Sequence, residues 1–75
     1  DKEGREVDFV VIKDGVIEEL IEVKYSDENI SKNLIYYLEK LKPSRGVQIV
    51  AKLEHPFSKG RIEVIDPFTY FQREH

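Results

Sequence analysis

Apolar and polar positions change rhythm several times along the chain. From Glu6 to Ile12 the run Glu-Val-Asp-Phe-Val-Val-Ile is dense in β-branched and aromatic residues and has no helical period, which predicts a strand. Lys13, Asp14 and Gly15 interrupt it, and β-rich sequence resumes at Val16 and runs to about Tyr25. Asp-Gly between two such runs signals a hairpin, because Gly accepts positive φ without steric cost. A loop centred near Gly15 pairs positions that sum to about 30, which sets Asp8 opposite Glu22 and Val10 opposite Leu20. Alternation then gives the hairpin two faces. One carries Asp8, Val10 and Ile12 with Leu20, Glu22 and Lys24; the other carries Val7, Phe9 and Val11 with Ile17, Ile21 and Val23. Both faces are apolar for most of their length, so the sheet is expected to be covered by helices on both sides.

Ser26, Asp27, Glu28 and Asn29 form a polar break, after which Ile30, Leu34, Tyr37, Leu38 and Leu41 recur at the spacing of one helix face. Asp27 or Asn29 is the expected N-cap, Lys40 and Lys42 suit the C-terminal dipole, and Pro43 with Gly46 ends the helix. Val47 to Ala51 reads as a short strand, and strand–helix–strand order implies a right-handed crossover that lays it parallel to the second strand. Lys52 to Gly60 reads as a polar loop, Arg61 to Ile65 as a fourth strand with Ile62 and Val64 on one face, and Asp66-Pro67 as the N-cap and first position of a closing helix. That helix, Phe68 to about Arg73, presents Phe68 and Phe71 on one side. The expected fold is α/β (α+β): a mixed sheet in the order β-β-α-β-β-α, flanked by helices, in a single domain over residues 1–75.

Composition adds exclusions. No apolar run is long enough to span a membrane. The chain has no Cys, which removes disulfides, thiolate metal sites and cysteine nucleophiles, and points to the cytoplasm. Its first residues resemble neither a signal nor a transit peptide. The absence of Cys, Met and Trp beside abundant Glu, Lys, Ile and Val leans toward the usage of a thermophile. Formal net charge is −3, yet residues 1–30 hold ten acids against four bases (−6) and residues 31–75 hold eight bases against five acids (+3). An acidic cluster beside a basic surface is the charge pattern of a divalent cation held next to a phosphodiester, and net acidity therefore does not exclude nucleic acid.

Asp8, Glu22 and Lys24 carry the candidate chemistry. A charge in the middle of an apolar hairpin face is costly unless it is paired or bound to a metal. Two facing carboxylates repel each other, and a hard divalent cation relieves that repulsion while keeping positions open for water and phosphate oxygens. Lys24, on the same face, would orient the water or stabilise developing charge. With ten Glu and eight Lys, about one Glu-x-Lys triplet is expected by chance, so context rather than the triplet carries the signal. The competing reading is a surface ion pair at the end of an edge strand, worth under about 1 kcal/mol.

The residues Glu6-Val7-Asp8-Phe9-Val10, a short turn, then Ile21-Glu22-Val23-Lys24 resemble the signature of the PD-(D/E)XK nuclease superfamily, whose fold is restriction-endonuclease-like. More narrowly, residues 5–71 look like the nuclease-like C-terminal domain that follows a P-loop ATPase module in archaeal and bacterial ATPases. The resemblance implies Asp8 and Glu22 as ligands of Mg²⁺ (or Mn²⁺), the Val23 carbonyl as a third ligand, Lys24 as the residue that orients water, and DNA as substrate. It also implies a helix and a strand ahead of the Asp-bearing strand; neither is in this sequence, so the chain reads as a piece of a longer protein. Glu6 shares the parity of Asp8 but reads as an exposed strand start, and Asn33 with Tyr37 matches the family's Gln–Tyr spacing with Asn in place of Gln, Tyr37 reading as core.

Lys40, Lys42, Arg45, Lys52, Lys59 and Arg61 form either a phosphate-facing strip or a solvated rim. His55 and His75 lack a second ligand at metal spacing and read as solvated. The glycines are isolated, so any nucleotide-binding loop lies outside this chain. Three functions follow as expectations: a Mg²⁺-dependent DNA nuclease, a non-cutting DNA-docking or regulatory module of an ATPase, and an α/β unit retained for packing. A two-faced sheet without N-terminal cover is also expected to self-associate.

Overall fold

A computed structural model describes residues 7–74. The chain forms β1 (Phe9–Lys13), β2 (Val16–Lys24), α1 (Lys32–Leu41), β3 (Arg45–Val50), β4 (Phe57–Lys59), β5 (Ile62–Ile65) and α2 (Pro67–Glu74). The five strands make one mixed sheet in the order β1-β2-β3-β5-β4, antiparallel at both edges and parallel through β2, β3 and β5. The hairpin turns at Asp14 and Gly15, both at positive φ, 54° and 78°, which is the conformation a two-residue loop of matching twist demands. The crossover through α1 lays β3 parallel to β2, as strand–helix–strand order requires.

Two clusters hold the layers together. On one face Leu20, Leu34, Leu38 and Ile62 pack under α1, with Tyr37 against them. On the other, Ile21, Val47, Ile49 and Ile65 pack with Tyr70 of α2. The sheet is therefore covered on both sides, although α2 spans only eight residues and leaves β1 largely open.

Several expectations need correcting. Val10 does face Leu20, but Val11 pairs with Glu19 and Ile12 with Ile17, so Glu18 is an extra residue in β2. This bulge reverses parity on its N-terminal side and sends Ile17 into the Leu20 cluster rather than beside Ile21. The segment read as a polar loop contains β4, which pairs antiparallel with β5 and makes the order β-β-α-β-β-β-α. The N-cap of α1 is Ser31, whose Oγ accepts the N–H groups of Asn33 and Leu34, and not Asp27 or Asn29. The helix ends on Lys42 in the left-handed region, while Gly46 lies inside β3. A Cβ at Gly46 would come within 3.1 Å of Leu38 Cδ1, so this glycine admits the helix onto the sheet rather than ending it. Glu6 and His75 lie outside the described residues.

The Asp66-Pro67 start of α2 is as the sequence predicts. Asp66 Oδ2 accepts the Thr69 N–H at 2.9 Å, and the Thr69 hydrogen bonds hold its carboxyl below the ordinary value of 3.8. A depressed carboxyl adds stability that is full above its unfolded value and is lost as pH falls through the folded one. Wild type is thus expected to melt above Asp66→Ala at neutral pH, the difference beginning to close below pH 3.8. Thermal unfolding of both proteins between neutral pH and strong acid checks this; a gap that persists unchanged in acid refutes it.

Candidate functional site

Alternation on β2 turns Leu20, Glu22 and Lys24 toward α1. On β3 the residues beside Glu22 and Lys24 are Gln48 and Val50, so the candidate carboxylate and ammonium stand at the C-terminal ends of two parallel strands. Glu22 is 5% exposed. Its Oε1 accepts the Ser31 hydroxyl at 2.7 Å, and its Oε2 lies 3.1 Å from Lys24 Nζ, whose side chain keeps about a third of its surface in solvent. Ser31 thus caps α1 with its lone pairs and orients Glu22 with its proton.

Gln48 holds that serine in place. Fully buried, it accepts the Ser31 N–H through Oε1 at 2.9 Å and donates through Nε2 to the carbonyls of Asn29 (2.9 Å) and Asp27 (3.3 Å). Neither Ser31 nor Gln48 stood out in the sequence. One cue was present: a fully polar residue, Gln48, inside the apolar run Val47–Ala51 must find partners or be expelled.

Asp8 precedes β1 and is exposed. Its N–H donates to the Ile21 carbonyl, and its Oδ2 accepts the Val23 N–H at 2.7 Å. The hairpin thereby gathers Asp8, Glu22 and Lys24 around one residue, Val23. Because N–H and C=O of an extended residue point to the same side, the Val23 carbonyl faces the Asp8 side of β2. The donors available to a cation are two carboxylates and this carbonyl, and among the described residues no group of three His, Cys, Asp or Glu side chains converges. That set suits Mg²⁺, which binds through one or two carboxylates and keeps several waters. It fits only if Lys24 yields Oε2, and the exposure of Lys24 permits that.

The basic residues do not form one strip. Lys40 lies over the Tyr36 ring, and Lys42 caps α1. Lys59 and Arg61 flank the turn between β4 and β5, and Arg61 donates to the Pro43 carbonyl. Arg45 turns onto the opposite face, where it grips Glu19. It also sits opposite Glu19 at the start of β3, five residues (roughly 16 Å) from the Lys24–Val50 level. Lys52, over the Tyr25 ring, follows the strand end nearest the carboxylates. His55 is exposed.

Glu19 was missed as well. It is 3% exposed, and its carboxylate accepts from Arg45 Nε at 2.7 Å, from a second Arg45 nitrogen, and from the Tyr70 hydroxyl at 2.7 Å. This network joins β2, β3 and α2 on the face away from Glu22. Comparison of the chain with protein-family models, with curated proteins and with solved structures finds no match. Among the described residues no helix is long and apolar enough to cross a membrane.

Proposed function

We infer that this chain is a nuclease-like domain of the PD-(D/E)XK type, with a restriction-endonuclease-like sheet, acting on DNA phosphodiesters and attached to an ATPase module in its parent protein. The observation that carries the reading is the meeting of Lys24 with Glu22 at 3.1 Å next to the Val23 amide that Asp8 accepts, at the ends of parallel strands. Asp8 and Glu22 would hold Mg²⁺ (or Mn²⁺), with the Val23 carbonyl beside them. When bound, the ion supplies charge neutralisation and a more acidic water. Ser31 fixes the rotamer of Glu22 through Oε1 and leaves Oε2 facing Lys24. Lys24, with one N–H turned to Glu22, keeps two donors at the solvent edge of the pair, where a phosphate oxygen would arrive.

One observation favours a second reading. Both oxygens of Glu22 already have protein partners, so the site is electrostatically satisfied without an ion. A nuclease fold that docks DNA or regulates an ATPase without cutting would look the same. Titration with Mn²⁺ and incubation with supercoiled and branched DNA separate the two. The nuclease reading expects Mn²⁺ binding that weakens at least about tenfold in Asp8→Ala and Glu22→Ala. It also expects nicking that Lys24→Ala abolishes. Mn²⁺ binding without nicking selects the non-cutting module, and equal Mn²⁺ affinity in wild type and Glu22→Ala removes the metal centre.

A further inference from the structure

We propose that two copies of this chain associate through the α2 face of the sheet, each seating the phenylalanines of α2 against the apolar hollow of the other. The hollow, about 560 Å³, opens between the hairpin and α2 and is lined chiefly by Phe9, Val11, Ile21, Val23, Pro67 and Phe71. Beside it the same surface carries projecting aromatics: Phe68 is 72%, Phe9 60% and Phe71 57% exposed. A smaller hollow against Pro67, Phe68, Phe71 and Gln72 continues the surface along α2. A two-fold contact between identical chains requires a patch complementary to itself, and here knobs and hollow occupy one patch.

Area and charge both favour a second copy as occupant. At these exposures the three phenylalanines leave on the order of 350 Å² uncovered. That is nearly half of the roughly 800 Å² each partner hides in a standard interface, before Val23 is added. Among the described residues the charged ones lining the hollow are Glu18 and Glu19, and Glu19 is already held by Arg45 and Tyr70. Of the described residues that line it, none is basic, which disfavours an anionic lipid surface or a nucleic acid. The patch lies on the face opposite Glu22 and Lys24, so its fate is independent of the proposed chemistry.

Sedimentation of the 75-residue chain from micromolar to near-millimolar concentration tests this. A reversible dimer is expected, its affinity reduced at least about tenfold by Phe68→Asp and by Phe71→Asp. Ile35→Asp, at an exposed apolar position on α1, should leave it unchanged. Both Phe sites are exposed, so the variants should keep the wild-type circular dichroism spectrum. Because the chain has no cysteine, Phe68→Cys adds a second readout: a disulfide-linked dimer under mild oxidation. A monomer at all concentrations overturns the proposal, including one whose hollow instead takes up an apolar helical peptide. So does a dimer that survives both aspartates or is lost equally with Ile35→Asp.

Discussion

Arg45→Met should lower the thermal midpoint of this domain by about 12–24 °C. Glu19 is sealed between β2, β3 and α2 at 3% exposure, and Arg45 donates two charged hydrogen bonds to it. Without Arg45 the carboxylate keeps the Tyr70 hydroxyl bond but loses the guanidinium, in a site beside Ile21 and Ile49. Removing one partner of a buried pair costs about 3–5 kcal/mol, chiefly through the charge left behind. The lower figure applies here because part of the Arg45 side chain reaches solvent. A domain of this size has a stability on the order of 4–11 kcal/mol, and each kcal/mol moves its midpoint by about 4–8 °C. Glu19→Leu combined with Arg45→Met should restore most of the loss, since a buried ion pair is often no better than packed apolar side chains. Calorimetry of wild type, single and double variants decides the matter. A loss under about 1 kcal/mol in the single variant would make the contact an ordinary surface pair.

That Glu19 escaped the sequence reading has a definite cause. Two adjacent glutamates in a strand look like one solvated position and one accident, and nothing in the order Ile17-Glu18-Glu19-Leu20 marks which is extra. The bulge at Glu18 settles it by backbone geometry: Glu19 turns toward α2 and Ile17 toward α1. Faces beyond the bulge were legible because period-two alternation holds from Leu20 onward, which is why Leu20, Glu22 and Lys24 were placed together correctly. The turn, α1, its parallel neighbour and the cap of α2 were legible for similar reasons, each resting on one local rule. By contrast β4 has three residues, all exposed, and exists through its pairing with β5, a non-local fact. Tyr70 was overlooked because α2 is short and carries Phe68 and Phe71, the greasier residues, outward. Phe68 and Phe71 do share one side of α2, as expected, but it is the side turned away from the sheet.

Gln48→Leu should cost about 2–3 kcal/mol and loosen the hold on Glu22. The substitution preserves volume, so the loss comes from hydrogen bonds rather than from a cavity. The Ser31 N–H, in a buried residue, loses its acceptor, and the carbonyls of Asn29 and Asp27 lose a donor. A buried donor left unmade costs about 1–3 kcal/mol, while the two carbonyls sit in exposed residues where water replaces part of the loss. The consequence reaches Glu22 through Ser31. With the Asp27–Ser31 segment released, the Ser31 hydroxyl is held only through its bonds to the α1 N-terminus and donates to Oε1 from a less fixed position, while Lys24 remains a partner of the carboxylate. Ser31→Ala separates that second effect from the Gln48 network: it removes the hydroxyl, and with it the α1 cap at a cost of about 1 kcal/mol, but leaves the Gln48 bond to the Ser31 backbone intact. If Glu22 binds a divalent cation, both variants should weaken Mn²⁺ about 10–100-fold, as loss of a ligand's own hydrogen-bond support does elsewhere. Thermal unfolding and Mn²⁺ titration of the two variants then part stability from positioning. Gln48→Leu that melts with wild type would mean the segment is held by its own turn, through the Asp27 carboxylate that accepts the Asn29 N–H at 2.9 Å.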